Sequence, residues 1–180
     1  HGHASLDAIR ATLNFEKLKL DPKSAVVGMG YSGGAIAGGW AASLLGSYAT
    51  ELNVVGWSIG GTPSNVTGTF YGLDGSLFSG FSVAGVAGIV DSYPEVNDYV
   101  GSVITPAGNA ALQFTREHCM GDIVVGLQNV NLTAKDFVKN EKNFLTDKRI
   151  APILDHLTMG TDSKLTPRVP VYMYLSLIHI

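Results

Sequence analysis

The chain has 180 residues, 46% of them hydrophobic and 15% charged, and a net charge of −3. This composition supports a buried core and excludes a disordered chain, so the sequence is one globular unit or part of one. Lys and Arg form no run, which excludes a nucleic-acid partner and a basic face for anionic lipid.

The first predicted element is an amphipathic helix. Apolar residues recur at helical spacing from Ser5 to about Leu18, and Ser5 is an acceptable N-cap. The pair Asp21-Pro22 ends this pattern.

Two short apolar runs with a helix between them come next. The runs cover residues 25–29 and 52–58, and the helix covers about residues 34–45. A short continuous apolar run is typical of a strand buried in a parallel sheet. Helices and strands that alternate with short joints predict the α/β class.

A long insertion separates these elements from the next predicted strand, Val169 to Tyr174. A whole β-α-β unit needs only about 30 residues, so the intervening segment is predicted to have structure of its own. Its first part is apolar, and its later part, residues 133–157, has a charged helical pattern. The predicted organisation is a partial core at 1–61, an inserted cap or lid at 62–167, and a return strand at 168–174.

The last six residues, 175–180, are expected to be foreign to the natural chain. Their sequence, LSLIHI, is a translation of a transposon-end adapter used in sequencing libraries. They are therefore left out of the fold prediction, together with His179.

One serine lies in a cluster of glycines, in the stretch GMGYSGGAIAGGW of residues 28–40. An apolar strand that leads into Gly-x-Ser-x-Gly and then into a helix of small residues is typical of a nucleophile elbow. Ser32 is therefore the candidate nucleophile. Gly30, Gly33 and Gly34 are expected to remove steric collisions at the turn, and the Gly33 N–H is expected to stabilise an oxyanion.

A dinucleotide-binding loop is the alternative interpretation of the same glycines. Gly28, Gly30 and Gly33 have the required spacing, and Glu51 lies at nearly the distance of the usual acid. The spacing alone does not decide between the two. The long insertion favours the nucleophile, because a dinucleotide-binding fold would continue with another β-α-β unit.

Three further residues bear on the compartment. Asn65 and Asn131 begin Asn-x-Thr sequons, which are glycan sites in secreted eukaryotic proteins. Cys119 is the only cysteine. On composition it is interpreted as a buried thiol that packs like a small apolar residue, and the alternative is that an odd cysteine in a secreted chain has a partner outside these residues.

The segments GHASLDAIRATLNF, GYSGGAIAGGWAASLLGSYATELNVVGWSIGGTPSNVTGTF and FSGFSVAGVAGI together resemble the fungal secretory lipases. The resemblance implies a partial α/β-hydrolase core with a large, mainly helical lid, in a secreted enzyme of lipid catabolism that hydrolyses triacylglycerols and other acyl esters at a lipid–water interface. It also implies that Ser32 is the nucleophile, that the Gly33 N–H is one oxyanion donor, and that Cys119 pairs with a cysteine upstream of His1.

The triad is expected to be incomplete in this sequence. The acid and the histidine of this fold follow the nucleophile in that order, and by resemblance both belong beyond Tyr174. His118 and His156 lie in the predicted cap and are interpreted as structural or exposed polar residues. The 180 residues alone are therefore expected to be inactive.

Substrate contacts are predicted for Tyr31 and for apolar residues of the cap, namely Phe78, Phe81, Val83 and Val86. Packing in the core of the cap is the alternative for each of these apolar residues, and residue by residue it is the more common role.

Rival functions are a serine peptidase or acyltransferase on the same fold and a non-catalytic binding module. No cofactor or metal is expected. No transmembrane segment is expected either, because the longest charge-free window, residues 24–50, is too rich in glycine for a lipid-facing helix.

Overall fold

The structure is a computed structural model that describes residues 1–139 and 144–175. It divides the chain into two compact units. The first contains His1–Ser64 and the described residues from Thr158 onward, and the second contains Asn65–Leu157. Residues 158–167 therefore belong to the first unit; within it, the Met159 N–H donates to the Ser64 carbonyl over 2.9 Å. Residues 176–180 of the predicted adapter segment lie outside the described residues.

The first unit is built on a parallel sheet of three strands in the order β1-β2-β3. The strands are β1 (Val26–Tyr31), β2 (Val54–Gly60) and β3 (Val171–Tyr174). In register, Tyr31 pairs with Gly60 and Gly60 pairs with Tyr174, so the carboxyl ends of all three strands meet at one edge. The predicted α/β class is confirmed, and the ends of the strands differ from the predicted runs by at most two residues.

Two helices of the first unit are α1 (Gly2–Leu13) and α2 (Gly33–Tyr48). The α2 helix packs on the face of the sheet that carries Trp57 and Ile59, since a Cβ added at Gly38 would lie 3.1–3.5 Å from their side chains. The α1 helix packs on α2. The core of this unit consists of Leu6, Ala35, Ala41, Ala42, Leu45, Ala49, Val54, Trp57 and Ile59.

The first helix differs from its prediction at both ends. Ser5 is not an N-cap, because its N–H already donates to the His1 carbonyl within the helix over 3.0 Å. At the other end, the main-chain N–H and the side-chain amide of Asn14 both donate to the Arg10 carbonyl, over 3.1 and 2.8 Å, and the helix ends at Leu13. Residues Glu16–Leu18 form a separate 3₁₀ turn.

The prediction that the first strand is buried on both faces is wrong for these described residues. Val27 and Met29 are 63% and 79% exposed. They lie on the face of the sheet opposite α2, and the described residues place no helix over that face.

The second unit is helical. Its helices are α3 (Val66–Leu73), α4 (Ser79–Ser92), α5 (Asn97–Val103), α6 (Pro106–Glu117), α7 (Met120–Gly126) and α8 (Ala151–Leu157). The α4 helix is central, with Val83 and Val86 almost fully buried among Phe70, Leu112, Ile123 and Leu154. Within the predicted helical pattern of residues 133–157, a helix forms over Ala151–Leu157, and Asn131–Val138 instead folds as turns that close with a bridge between Ile104 and Val138.

Across the described ranges, every helix is too short or too polar to cross a membrane.

Candidate active site

Ser32 lies at the junction between β1 and α2. Its backbone has φ 52° and ψ −115°, a conformation that L-residues rarely adopt and that commonly occurs at functional sites. The residue is exposed, and its side chain does not cap the helix that follows. The hydroxyl is thus presented to solvent by a strained turn between a parallel strand and a helix.

Main-chain hydrogen bonds hold this conformation on both sides. The Ser32 N–H donates to the Gly60 carbonyl at the end of β2 over 2.9 Å. The Ser32 carbonyl accepts from the N–H groups of Ala35 and Ile36 at 2.9 and 3.1 Å, which are the first bonds of α2. A strained residue persists only where its surroundings determine it, and here a strand end and a helix start do so together.

Of the glycines around Ser32, Gly30 is the one that steric clearance requires. A Cβ at Gly30 would lie 2.2 Å from the Gly34 carbonyl oxygen, which is a main-chain atom that cannot move aside. A Cβ at Gly33 or Gly34 would have no described atom within 4 Å. The expectation that all three glycines remove collisions is therefore wrong for Gly33 and Gly34 in the described structure, because the first turn of α2 is open at these positions.

The N–H of Gly33 belongs to the first turn of α2, where main-chain donors have no acceptor inside the helix. The helix is 16 residues long, and its amino end carries a partial positive charge. A donor of this kind next to a nucleophile can bind the oxygen of a tetrahedral intermediate.

Glu51 is not placed to act as the acid of a dinucleotide-binding loop. Its carboxylate pairs with Arg10, and it lies beyond the carboxyl end of α2, about 24 Å along the helix from Ser32 at 1.5 Å per residue. The side-chain hydrogen bond from Arg10 lowers the pKa of Glu51. The acid that the dinucleotide alternative needs is thus held at the opposite end of the helix.

The described histidines have contacts of their own. The Nδ1 of His118 lies 3.0 Å from the Phe114 carbonyl, and its ring stacks on the Phe114 ring at 3.9 Å between centroids. His156 is exposed on α8. Within residues 1–139 and 144–175, no hydrogen bond joins the Ser32 hydroxyl to a histidine. His179 lies outside the described residues.

The predicted substrate contacts fall into two groups. Tyr31, next to Ser32, is 47% exposed, and Phe78 and Phe81 at the start of α4 are also exposed, with ring centroids 6.5 Å apart. Val83 and Val86 lie in the core of the second unit. For these two valines the structure describes the core packing that was the alternative.

Two residues near Ser32 were not predicted from sequence, namely Gly60 and Tyr174. The Gly61 N–H donates to the Tyr174 carbonyl over 2.9 Å, and the Tyr174 ring covers Gly60. The sequence signal was the pair Gly60-Gly61 at a strand end, which marks a turn but does not identify its neighbours.

The two sequon asparagines and the single cysteine are all exposed. Asn65 caps α3 by accepting from the Gly68 N–H over 2.8 Å, and Asn131 accepts from both the N–H and the hydroxyl of Thr133. Cys119 precedes α7 and is exposed, so the interpretation of a buried thiol is wrong. Its place at the start of a helix leaves the side chain outside the apolar core.

A metal site would need several ligands close together. In the part of the chain that the structure describes, no group of three or more His, Cys, Asp or Glu side chains is arranged to hold a metal ion.

Comparison with known proteins identifies the class. The chain matches the structure of lipase A from Candida antarctica with a TM-score of 0.82 and 34% sequence identity, over 94% of this chain and 40% of that one. Together with the parallel sheet and its flanking helices, this match shows that the first unit is part of an α/β-hydrolase core.

The family follows from the sequence matches. The model of the secretory lipase family matches residues 1–179, so the chain belongs to that family. It is 97% identical over 177 residues to the secreted triacylglycerol lipase LIP5 of Malassezia globosa, covering 98% of this chain and 37% of the relative. It is 46% identical over 173 residues to the secreted triacylglycerol lipase LIP1 of Malassezia furfur, covering 96% of this chain and 36% of the relative. The chain thus spans little more than a third of these relatives.

Proposed function

We propose that this chain is the nucleophile-bearing part of a secreted triacylglycerol lipase that acts through an acyl-serine intermediate. The observation that carries the proposal is the exposed Ser32 at a positive φ between a parallel strand and a helix. Membership of the secretory lipase family supports the ester substrate and the extracellular location.

In the proposed reaction, the Ser32 Oγ attacks the acyl carbon of the ester and its proton passes to a histidine base. The carbonyl oxygen becomes an oxyanion that accepts from the Gly33 N–H and from a second donor. The C–O bond to the alcohol breaks, and the histidine protonates the alcohol. Water then attacks the acyl-serine, which releases the fatty acid and restores Ser32.

The proposed acid, histidine base and second oxyanion donor come from the longer protein. The relatives are more than twice as long as this chain, and no described histidine bonds to Ser32. We place Cys119 in a disulfide with a cysteine of the same longer protein, and glycans on the exposed Asn65 and Asn131.

We propose that the second unit is the cap of this enzyme. The exposed rings of Phe78 and Phe81 would supply apolar surface for the acyl chain, whereas Val83 and Val86 would hold the cap together. Tyr31 would contact the substrate beside the nucleophile.

The test compares the full-length protein with its Ser32→Ala variant on esters of graded chain length and on an amide. We expect the substitution to abolish ester hydrolysis, since loss of a triad nucleophile removes about six orders of magnitude in kcat. Ser47→Ala is the matched control, because Ser47 lies near the far end of α2 and its hydroxyl donates to the Leu44 carbonyl of the same helix.

Two results contradict the proposal. Equal ester hydrolysis by the Ser32→Ala and wild-type proteins removes Ser32 from the mechanism. Amide cleavage without a preference for esters assigns the site to a peptidase, and the absence of any turnover by the full-length protein favours a binding module.

A further inference from the structure

We infer that Tyr174 is a positioning residue for the nucleophile. It acts through Gly60, whose carbonyl accepts the hydrogen bond from the Ser32 N–H. This inference rests on the proposed role of Ser32, and it adds a residue that acts on the reaction without touching the reacting atoms.

A chain of contacts runs across the carboxyl edge of the sheet. The Ser32 N–H donates to Gly60 on β2, and the Gly61 N–H donates to the Tyr174 carbonyl at the end of β3, both over 2.9 Å. Gly60 pairs in register with Tyr31 on one side and with Tyr174 on the other. The peptide that receives the nucleophile's N–H is therefore held between the ends of two other strands.

The Tyr174 ring lies directly over Gly60. A Cβ on residue 60 would be 2.2 Å from Cε2 and 2.3 Å from Cζ of that ring. Gly60 does not have a positive φ, so its backbone conformation does not require glycine. The Tyr174 ring fills this space, so a side chain at position 60 would have to displace the ring.

Because the backbone of Ser32 is strained, the contact between the Tyr174 ring and Gly60 should affect catalysis. A backbone at φ 52° relaxes when the groups that hold it move, and the Gly60 carbonyl is one of those groups. The ring fills the space over Gly60 and limits movement of its peptide. A nucleophile displaced by about 1 Å loses up to about 100-fold in rate.

The ring, rather than the hydroxyl, carries this role, because the closest atoms over Gly60 are Cε2 and Cζ. The Tyr174→Phe variant keeps those atoms and should keep the activity. The Tyr174→Ala variant removes them and should lower the rate of acylation more than it changes substrate binding, although the ring centroid also lies 6.3 Å from that of Tyr31.

The experiment uses the full-length enzyme, with active sites counted by a phosphonate ester that reacts with the nucleophilic serine. We expect kcat per titrated site to fall about tenfold in Tyr174→Ala, with KM within about twofold, and to stay within about twofold in Tyr174→Phe. Tyr172→Ala is the control on the same strand, at a position paired with Ser58: its ring lies 5.9 Å from that of Tyr174 between centroids, and its removal leaves the ring over Gly60 in place. Its kcat should stay within about twofold of the wild type.

A double-mutant cycle tests the contact itself. Gly60→Ala should lower kcat, because the new methyl group displaces the ring, and the same change should cost little when Tyr174 is already Ala. If Tyr174→Ala gives no titratable protein, the test rests on Gly60→Ala and on retention of activity by Tyr174→Phe.

The outcomes separate this inference from the proposed function. An unchanged kcat in both Tyr174→Ala and Gly60→Ala, with Ser32→Ala inactive, overturns the positioning role and leaves the nucleophile in place. Additive effects in the cycle overturn it as well, as does an equal loss of kcat in Tyr172→Ala. Full activity of Ser32→Ala overturns the proposed function itself.

Discussion

The closest main-chain approach at the serine turn is between Gly30 and Gly34. A methyl group at position 30 would lie 2.2 Å from the Gly34 carbonyl oxygen, and neither backbone segment can yield without moving β1 or α2. We expect Gly30→Ala to lower kcat per mole of folded full-length protein by more than about tenfold, because the turn that positions Ser32 must open. Ester hydrolysis measured beside circular dichroism checks this prediction.

Gly34→Ala is the control for that substitution. No described atom lies within 4 Å of a Cβ at position 34, and Ala is favoured over Gly in a helix by up to about 1 kcal/mol. We expect this variant to melt no lower than the wild type. Equal activity of the Gly30→Ala and wild-type proteins would contradict the steric argument.

The turn at Ser32 and Gly33 could be predicted from the sequence because its signal is local. A strand, a Gly-x-Ser-x-Gly motif and a helix follow one another directly, so the turn can be predicted from adjacent residues. Gly60 and Tyr174 were missed because parallel pairing brings them to the site from distant parts of the chain, and no short motif records that register.

The contact between α4 and α7 depends on one glycine. A Cβ at Gly80 would lie 2.5 Å from the Ile123 carbonyl oxygen, so the two helices approach each other through main-chain atoms. We expect Gly80→Ala to lower the free energy of unfolding by about 1–3 kcal/mol, as is usual for overpacking at a close contact. Urea denaturation of the full-length protein measures this change.

Gly88 provides the matched control on the same helix. It is exposed, and a Cβ there would have no described atom within 4 Å. We expect Gly88→Ala to leave stability unchanged or to raise it by up to about 1 kcal/mol. A similar decrease in the free energy of unfolding in both variants would mean that Gly80 acts through helix flexibility rather than through the contact with α7.

An ion pair links α4 to α6 within the second unit. Arg116 donates to Asp91 from Nε and from Nη2, the latter over 2.7 Å, and this hydrogen bonding lowers the pKa of Asp91. A carboxylate with a depressed pKa in the folded state stabilises the fold above its unfolded pKa of about 4, and that contribution is lost as the pH falls through the folded pKa.

We therefore expect Asp91→Asn to be less stable than the wild type at pH 7, with a difference that shrinks below about pH 4. The loss should stay under about 1 kcal/mol, because both side chains are partly exposed. Thermal unfolding across this pH range checks the prediction, and Asp98→Asn is the control, since Asp98 has no ion-pair partner among the described residues. A difference in stability that persists at low pH would mean that the effect does not come from the ion pair.

At the level of elements, the sequence predicts helices and strands well and their ends poorly. The first helix ends at Asn14, whose side-chain amide joins its main-chain N–H on the Arg10 carbonyl, and a pattern of apolar residues carries no information about that bond. The charged segment before α8 folds as turns because its apolar residues Leu132, Phe137 and Val138 are buried without helical spacing.

At the level of the whole molecule, the order of strands and helices predicted the α/β class, but burial depends on what covers each face. The continuous apolar run of β1 predicts cover on both sides. In the described chain, α2 covers one face, and the other exposes Val27, Met29, Val55 and Tyr172. The missing cover cannot be predicted from a chain that spans little more than a third of its relatives.

Because parallel sheets occur almost only with both faces covered, we expect the rest of the full-length protein to pack on this face. Met29 is 79% exposed in the described chain. Its oxidation by peroxide reports whether this sheet face is covered, because the reaction depends on access to the sulfur. In the native full-length protein, Met29 should form sulfoxide at least about tenfold more slowly than after unfolding in urea, as measured by mass spectrometry of the peptide.

Met29→Lys should also destabilise the full-length protein by several kcal/mol, because it would bury an unpaired charge. Equal oxidation rates in the native and unfolded protein, together with a harmless Met29→Lys substitution, would mean that this sheet face stays open to solvent in the whole enzyme.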